Sequence, residues 1–110
     1  NNWNYNNLMV IAVMPKHDMT YVGTTVRVYH ANKGEGIPMH SHAYSHATIC
    51  MNGSCKLTQE NKSVITTKDS TPVNLLAGKF HEIEALEDGT LDILIGTPIG
   101  LRIKEFKDQE

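Results

Sequence analysis

The chain has 110 residues and a mass of 12.3 kDa, enough for one domain around one core and not for two. Hydrophobic residues make up 40% and charged residues 20%, the ordinary balance of a soluble globular protein, which excludes a disordered chain. Ten basic against twelve acidic residues give a formal net charge of −2, which leaves no electrostatic footprint for nucleic acid and no polybasic patch for a membrane.

Five of the first seven residues are Asn, interleaved with Trp3 and Tyr5. Asn side chains compete for backbone hydrogen bonds, so residues 1–7 read as an extended arm packed on the domain or on a partner subunit, and residues 8–110 as the single domain. The sequence opens on Asn rather than Met, as trimming of a leader or tag would leave it, and shows no signal-peptide pattern; a cytoplasmic location is expected. Leu8–Met14 is the longest apolar run, far too short to span a bilayer.

From there the chain reads as short strands between turn residues. Leu8–Met14 ends at Pro15-Lys16-His17-Asp18, and Tyr21–His30 comes next as one strand, with Val22, Val26, Val28 and His30 on one parity and Thr25, Arg27 and Tyr29 on the other. Asn32-Lys33-Gly34-Glu35-Gly36 reads as a turn. His46–Met51, Ser54–Gln59 and Ser63–Lys68 are the next strands, the last pair separated by a reversal at Glu60-Asn61-Lys62. The later strands are Val73–Leu76, Phe80–Leu86, Leu91–Ile95 and Ile99–Phe106. No segment carries a helical period, so the fold class is all-β, a sandwich or barrel. Asn52-Gly53 gives the strongest hairpin signal, since a type I′ turn needs positive φ at both central positions. In such a hairpin Cys50 and Cys55 sit opposite each other, open either to a cross-strand disulfide or to two free buried thiols. Met9, Met14, Met39 and Met51 read as core or interface filler.

Six histidines are the remaining signal, and four are placed suggestively. His40 and His42 are two apart, which on a strand aims both imidazoles to one face. His46 comes after three intervening residues, and His81 stands on a later strand. Imidazoles converging from separate strands form a ligand set for a divalent transition metal.

These residues resemble the first motif of the cupin superfamily: Gly, five residues, His-x-His, three or four residues, Glu, six residues, Gly. Gly34, His40-Ser41-His42, His46 and Gly53 fit every spacing, with His46 where that family usually has Glu. The second motif is matched at Gly78 and His81, while Ser70, Leu76 and Ala85 replace its leading Gly, its Pro and its terminal Asn. The resemblance covers roughly Val22 to Ile103 and implies a double-stranded β-helix, the cupin jelly-roll barrel. It implies a metal held by His40, His42, His81 and the residue at position 46, and a homodimer.

With imidazole in place of carboxylate at position 46, the full charge of the ion stays available to an anionic small molecule. An all-nitrogen set turns preference from Mg²⁺ and Ca²⁺ towards Fe, Mn, Ni, Cu or Zn. His46 could instead be a packing residue beside a three-histidine centre. Arg27 and Tyr29 would anchor a substrate carboxylate if their parity faces the interior; if Val26 and Val28 face inward, Arg27 is a solvated surface charge. Tyr44, in the loop between His42 and His46, is a candidate acid or a plain loop aromatic. His17 and His30 read as surface residues, and Glu82 and Glu84 as exterior charges. The function expected is a metal-dependent enzyme acting on a small organic anion, either dioxygenase-type or a Lewis-acid lyase, isomerase or decarboxylase. The alternative is a non-catalytic module that binds a small ligand or metal.

Overall fold

The computed structural model describes residues 9–96; the arm at residues 1–7 and the strand expected at Ile99–Phe106 lie outside the described residues. Ten strands are found there and no helix. They are β1 (Ile11–Ala12), β2 (His17–Tyr21), β3 (Thr24–Ala31), β4 (Glu35–His40), β5 (His46–Asn52), β6 (Ser54–Gln59), β7 (Lys62–Thr67), β8 (Val73–Leu75), β9 (His81–Ala85) and β10 (Thr90–Gly96). Two five-stranded sheets face each other, ordered β1-β4-β9-β6-β7 and β2-β3-β10-β5-β8. Every ladder is antiparallel except β1 on β4. The architecture is the all-β jelly roll.

Alternation decides which side chains go inward. β5 buries His46, Thr48 and Cys50; β9 buries His81, Ile83 and Ala85; β10 buries Thr90, Asp92 and Leu94. The core gathers Cys50, Cys55, Leu57, Leu75, Ile83 and Leu94, with Tyr29, Ile37 and Val73 packed on it. Met9, Met14, Met39 and Met51 are exposed rather than core.

Several local readings are corrected by the structure. Asn52-Gly53 does not close a hairpin: β5 and β6 belong to different sheets, so the dipeptide is a corner that carries the chain across the interior. Gly53 has φ 77° while Asn52 is not in the left-handed region. Cys50 and Cys55 consequently face each other across the sandwich as free thiols, not side by side on a ladder. The two-residue hairpin with both central φ positive lies at Val22-Gly23, between β2 and β3, with φ 49° and 77°. A β-branched residue is poorly suited to that conformation, which is why the sequence there reads as one unbroken strand.

The stretch Asn32–Gly36 is only partly a turn, because Glu35 already begins β4. Pro38 is tolerated inside this strand because it sits in a bulge. The ladder to β9 pairs Ile37 with Ile83 and His40 with His81, so three steps on β4 match two on β9. The extra residue reverses the facing of the strand beyond it: Ile37 points inward, Met39 is exposed, and His40 points inward again. At Gly36 an added Cβ would run into the backbone carbonyl of Ile83, so a glycine lets β4 and β9 approach closely just below the two histidines.

Candidate metal centre

Four imidazoles meet at one rim of the barrel, each from a strand end or a loop. His40 is the last residue of β4, His46 the first of β5 and His81 the first of β9. His42 lies in the connection between β4 and β5, so it does not share a strand with His40; both nevertheless reach the same cavity. That connection is pinned to the loop before β9: Gly78 N–H donates to the His42 carbonyl at 2.7 Å, and Ala77 N–H donates to Ser45 Oγ at 2.8 Å.

Ring centroids are 4.4 Å apart for His40–His81, 4.8 Å for His42–His81, 4.9 Å for His42–His46 and 5.3 Å for His46–His81. Ligand atoms of His40, His42 and His81 lie within 4.8 Å of one another, a group able to hold a metal ion. His46 stands beside them, its Nε2 3.1 Å from Nε2 of His42.

The hydrogen bonds say which nitrogens are free. His40 Nδ1–H donates to the Pro38 carbonyl at 2.8 Å and His81 Nδ1–H to the Lys79 carbonyl at 3.0 Å. Each therefore turns a lone pair on Nε2 into the cavity, with ring orientation fixed from behind as metal-ligating histidines require. His81 is 0% exposed, and its Nε2 is buried with no hydrogen-bond partner. Such an orphaned acceptor costs free energy unless a cation or proton donor meets it. In the His42–His46 pair one Nε2–H donates to the other Nε2, which leaves both Nδ1 atoms buried without a partner, and the separation is also the one a shared ion would give. Two nitrogens each about 2.1 Å from one ion and near a right angle apart are about 3 Å from each other.

Electrostatics favour the neutral form at His42, His46 and His81. Burial pushes the pKa of His46 down to about 3, helped by the neighbouring His42, His81 and His40. Burial also lowers His42 and His81. Neutral imidazole is the ligating form, so these shifts favour the state that an ion binds.

The cavity around the histidines has a volume of about 70 Å³ and opens to solvent at its mouth. Thr25, Arg27, Tyr29 and Tyr44 supply its other polar groups, and Ile37, Ile83 and Leu94 its apolar floor. Arg27 and Tyr29 thus belong to the inward parity, Arg27 at the mouth with its side chain 40% exposed. Arg27 Nε–H donates to Asp18 Oδ2 at 3.3 Å, an ion pair across the β2–β3 ladder at the mouth. Burial opposes the charge on Arg27, but Asp18 and Tyr44 outweigh it and hold the guanidinium protonated. Tyr29 has its pKa raised by burial, so its hydroxyl keeps its proton. Tyr44 stacks on His42 at 4.2 Å with a 14° tilt and closes one side. No carboxylate lines the cavity among the described residues. His17 and His30 are exposed and away from the cluster.

One residue that sequence reasoning passed over shapes the site. Gly96 pairs with His46 on the β10–β5 ladder, where an added Cβ would lie 2.6 Å from His46 Cβ and 2.9 Å from the Ser45 carbonyl oxygen. The imidazole of His46 is seated against a bare backbone.

No family model matches the chain, and no curated protein matches it in sequence. Comparison of structures finds clear neighbours. KdgF from Halomonas sp. superposes with a TM-score of 0.68 at 14% identity, covering 74% of this chain and 76% of that one. A cupin protein from Bacteroides fragilis gives 0.62 at 19% identity, covering 73% and 70%. The Cnp3 cupin domain of Schizosaccharomyces pombe gives 0.68 at 12% identity, covering 84% and 69%. The chain has the cupin fold.

Proposed function

We propose that this cupin-fold protein holds one divalent transition ion through Nε2 of His40, His42, His46 and His81, and acts on a small organic anion as a metal-dependent enzyme. The buried, unpartnered Nε2 of His81, facing three further imidazoles, carries this reading. Fe, Mn, Ni, Cu and Zn all suit such a donor set, whereas Mg²⁺ and Ca²⁺ do not. When bound, the ion supplies Lewis acidity, or for the redox-active metals a partner for dioxygen in dioxygenase-type chemistry. The chain's own groups then do the positioning. Arg27, already protonated, is placed to receive a carboxylate in exchange for its exposed pair with Asp18, a contact worth little in water. Tyr29 and Tyr44 offer hydroxyl protons beside it, Tyr44 being the candidate acid. Ile37, Ile83 and Leu94 exclude water from the inner side.

One observation favours a second reading. Among the described residues the cavity wall has no carboxylate to serve as a general base, which suits a non-catalytic module that captures a small anionic ligand or the metal itself. Exposed Met9, Ile11, Met14 and Met19 on and around the first two strands support association of two copies, checked by light scattering. No helix of the described residues is long and apolar enough to cross a membrane.

Metal content measured by mass spectrometry on tag-free protein and on His81→Ala tests the centre. The expected result is about one equivalent more metal in the parent than in the variant. No metal in either, even after reconstitution, sinks the assignment. Lyase, isomerase, decarboxylase and oxygen-uptake assays on small carboxylates then separate catalysis from binding: ligand uptake by calorimetry without turnover selects the binding module.

A further inference from the structure

A second cluster lies deeper in the barrel, away from the histidines. Cys50 on β5 and Asp92 on β10 are directly paired across their ladder, and Cys55 reaches them from β6 on the facing sheet. The three are 4%, 4% and 1% exposed, in the order Cys50, Asp92, Cys55. Cys55 Sγ is 4.0 Å from Cys50 Sγ and 3.8 Å from Asp92 Oδ1, and all three ligand atoms fall within 4.8 Å of one another.

These distances can be set against a coordination sphere. With Zn–S about 2.3 Å and Zn–O about 2.1 Å, tetrahedral angles place two sulfurs about 3.8 Å apart and a sulfur and an oxygen about 3.6 Å apart. The two measured edges from Cys55 are open by only about 0.2 Å each. A disulfide would instead require the two sulfurs to close to about 2.05 Å, which the facing sheets would have to approach to allow.

The surroundings fit an ion as well. Asp92 is a buried carboxylate without a cationic partner: the ion pairs among the described residues are Arg27–Asp18 and Lys68–Asp69. The Thr48 hydroxyl donates to Oδ2 of Asp92 and turns Oδ1 toward the cysteines, as an outer partner orients a metal-binding carboxylate. The carbonyl oxygens of Asn52 and Gly53 lie 3.5 and 3.6 Å from Cys50 Sγ, at hand as a fourth, weaker donor. Cys55 and Asp92 line a small inner space of about 10 Å³ that shares Tyr29, Ile37 and Ile83 as walls with the histidine cavity.

We infer that Cys50, Cys55 and Asp92 form a second cation site, selective for a thiophilic ion such as Zn²⁺, that clamps the two sheets together as a structural centre. Two thiolates with one carboxylate favour such ions over hard ones, and a closed buried set is the structural type. Binding sends the two thiol protons to solvent, together with the Asp92 proton wherever the carboxyl carries one. The site does not depend on the reading of the histidine centre.

Cobalt(II) is the probe, because thiolate ligands give a charge-transfer band in the near ultraviolet that imidazole ligands do not. Reduced, metal-free full chain is titrated with cobalt(II), alongside His81→Ala, Cys50→Ser, Cys55→Ser and Asp92→Asn. The band is expected to saturate at one thiolate-bound cobalt per chain, persist in His81→Ala, weaken at least tenfold in apparent affinity in Asp92→Asn and vanish in both serine variants. Should a serine variant fail to fold by circular dichroism, the parent and Asp92→Asn titrations decide alone. No band in the folded parent, with both thiols counted free after denaturation, overturns the site. So does a band that survives in both serine variants, or a parent whose thiols are already paired under reductant.

Discussion

Replacing Gly96 by Ala tests the seat of His46 and its part in metal binding together. Where a glycine's backbone suits any residue and space is open, Gly→Ala stabilises by about 0.4–1 kcal/mol through the unfolded chain. Here the sign reverses. The new methyl would lie 2.6 Å from His46 Cβ and 2.9 Å from the Ser45 carbonyl oxygen, against about 3.5–4.0 Å for relaxed carbon contacts. Relief needs a displacement of about 1 Å, and overpacking of this kind costs about 1–3 kcal/mol. For a domain of this size that is a fall in Tm of about 4 °C or more per kcal/mol. Metal geometry tolerates about 0.2 Å, so moving His46 by about 1 Å should weaken the ion by roughly 10–100-fold. Calorimetric metal titration and thermal melting read the two effects separately, with Ile95→Ala on the outer face as control. A lower Tm with unchanged affinity would remove His46 from the ligand set while leaving the packing argument intact. Unchanged melting and unchanged affinity would refute both the β5–β10 register and the reasoning built on it.

Three further outcomes rest on the same geometry. In metal-free protein His46 is buried neutral with a pKa of about 3, below its unfolded value near 6.5, so it contributes stability that is present above pH 6.5 and lost as pH falls toward 3; His46→Gln should flatten that acid limb in chemical denaturation. Asp92 works in the opposite sense: burial raises its pKa to about 7, so its stabilisation is complete below about pH 4 and lost as pH rises through 7. Metal-free Asp92→Asn should therefore recover up to roughly 4 kcal/mol relative to the parent between about pH 4 and pH 8, at about 1.4 kcal/mol per pH unit. If the two curves run parallel, the carboxyl is not buried as described. Deleting Met39 removes the extra residue of the β4 bulge and makes His40 the second residue after Ile37, so regular alternation keeps it inward opposite His81; metal binding should survive the deletion while far-ultraviolet circular dichroism remains that of an all-β fold, and a fall in affinity to the level of His40→Ala would place the bulge elsewhere.

The fold class was legible because turn residues and short β-rich runs recur along the whole chain, and the spacing of His40, His42, His46 and His81 was enough to mark the site. What escaped was local geometry set by tertiary contacts. Val22-Gly23 reads as strand because valine seldom adopts positive φ, yet the β2–β3 pairing holds it there. Pro38 and Gly36 disguise β4, since nothing local announces that a bulge will accommodate the proline. Parity left Arg27 and Tyr29 undecided, because β3 has no fully apolar side to vote for the interior. Asp92 sits between leucines and isoleucines in a run that reads as ordinary buried strand; only the fold reveals that its inward neighbours are two cysteines from other strands.

The imidazoles all spring from the rim where β4 ends and β5 and β9 begin. Strand ends are the first backbone to open in native-state fluctuations. An ion gripping that rim would convert three independently fraying ends into one cooperative unit, so amide hydrogen exchange there would slow together on loading, and release of the ion would be timed by the opening of the rim rather than by the strength of any single nitrogen bond.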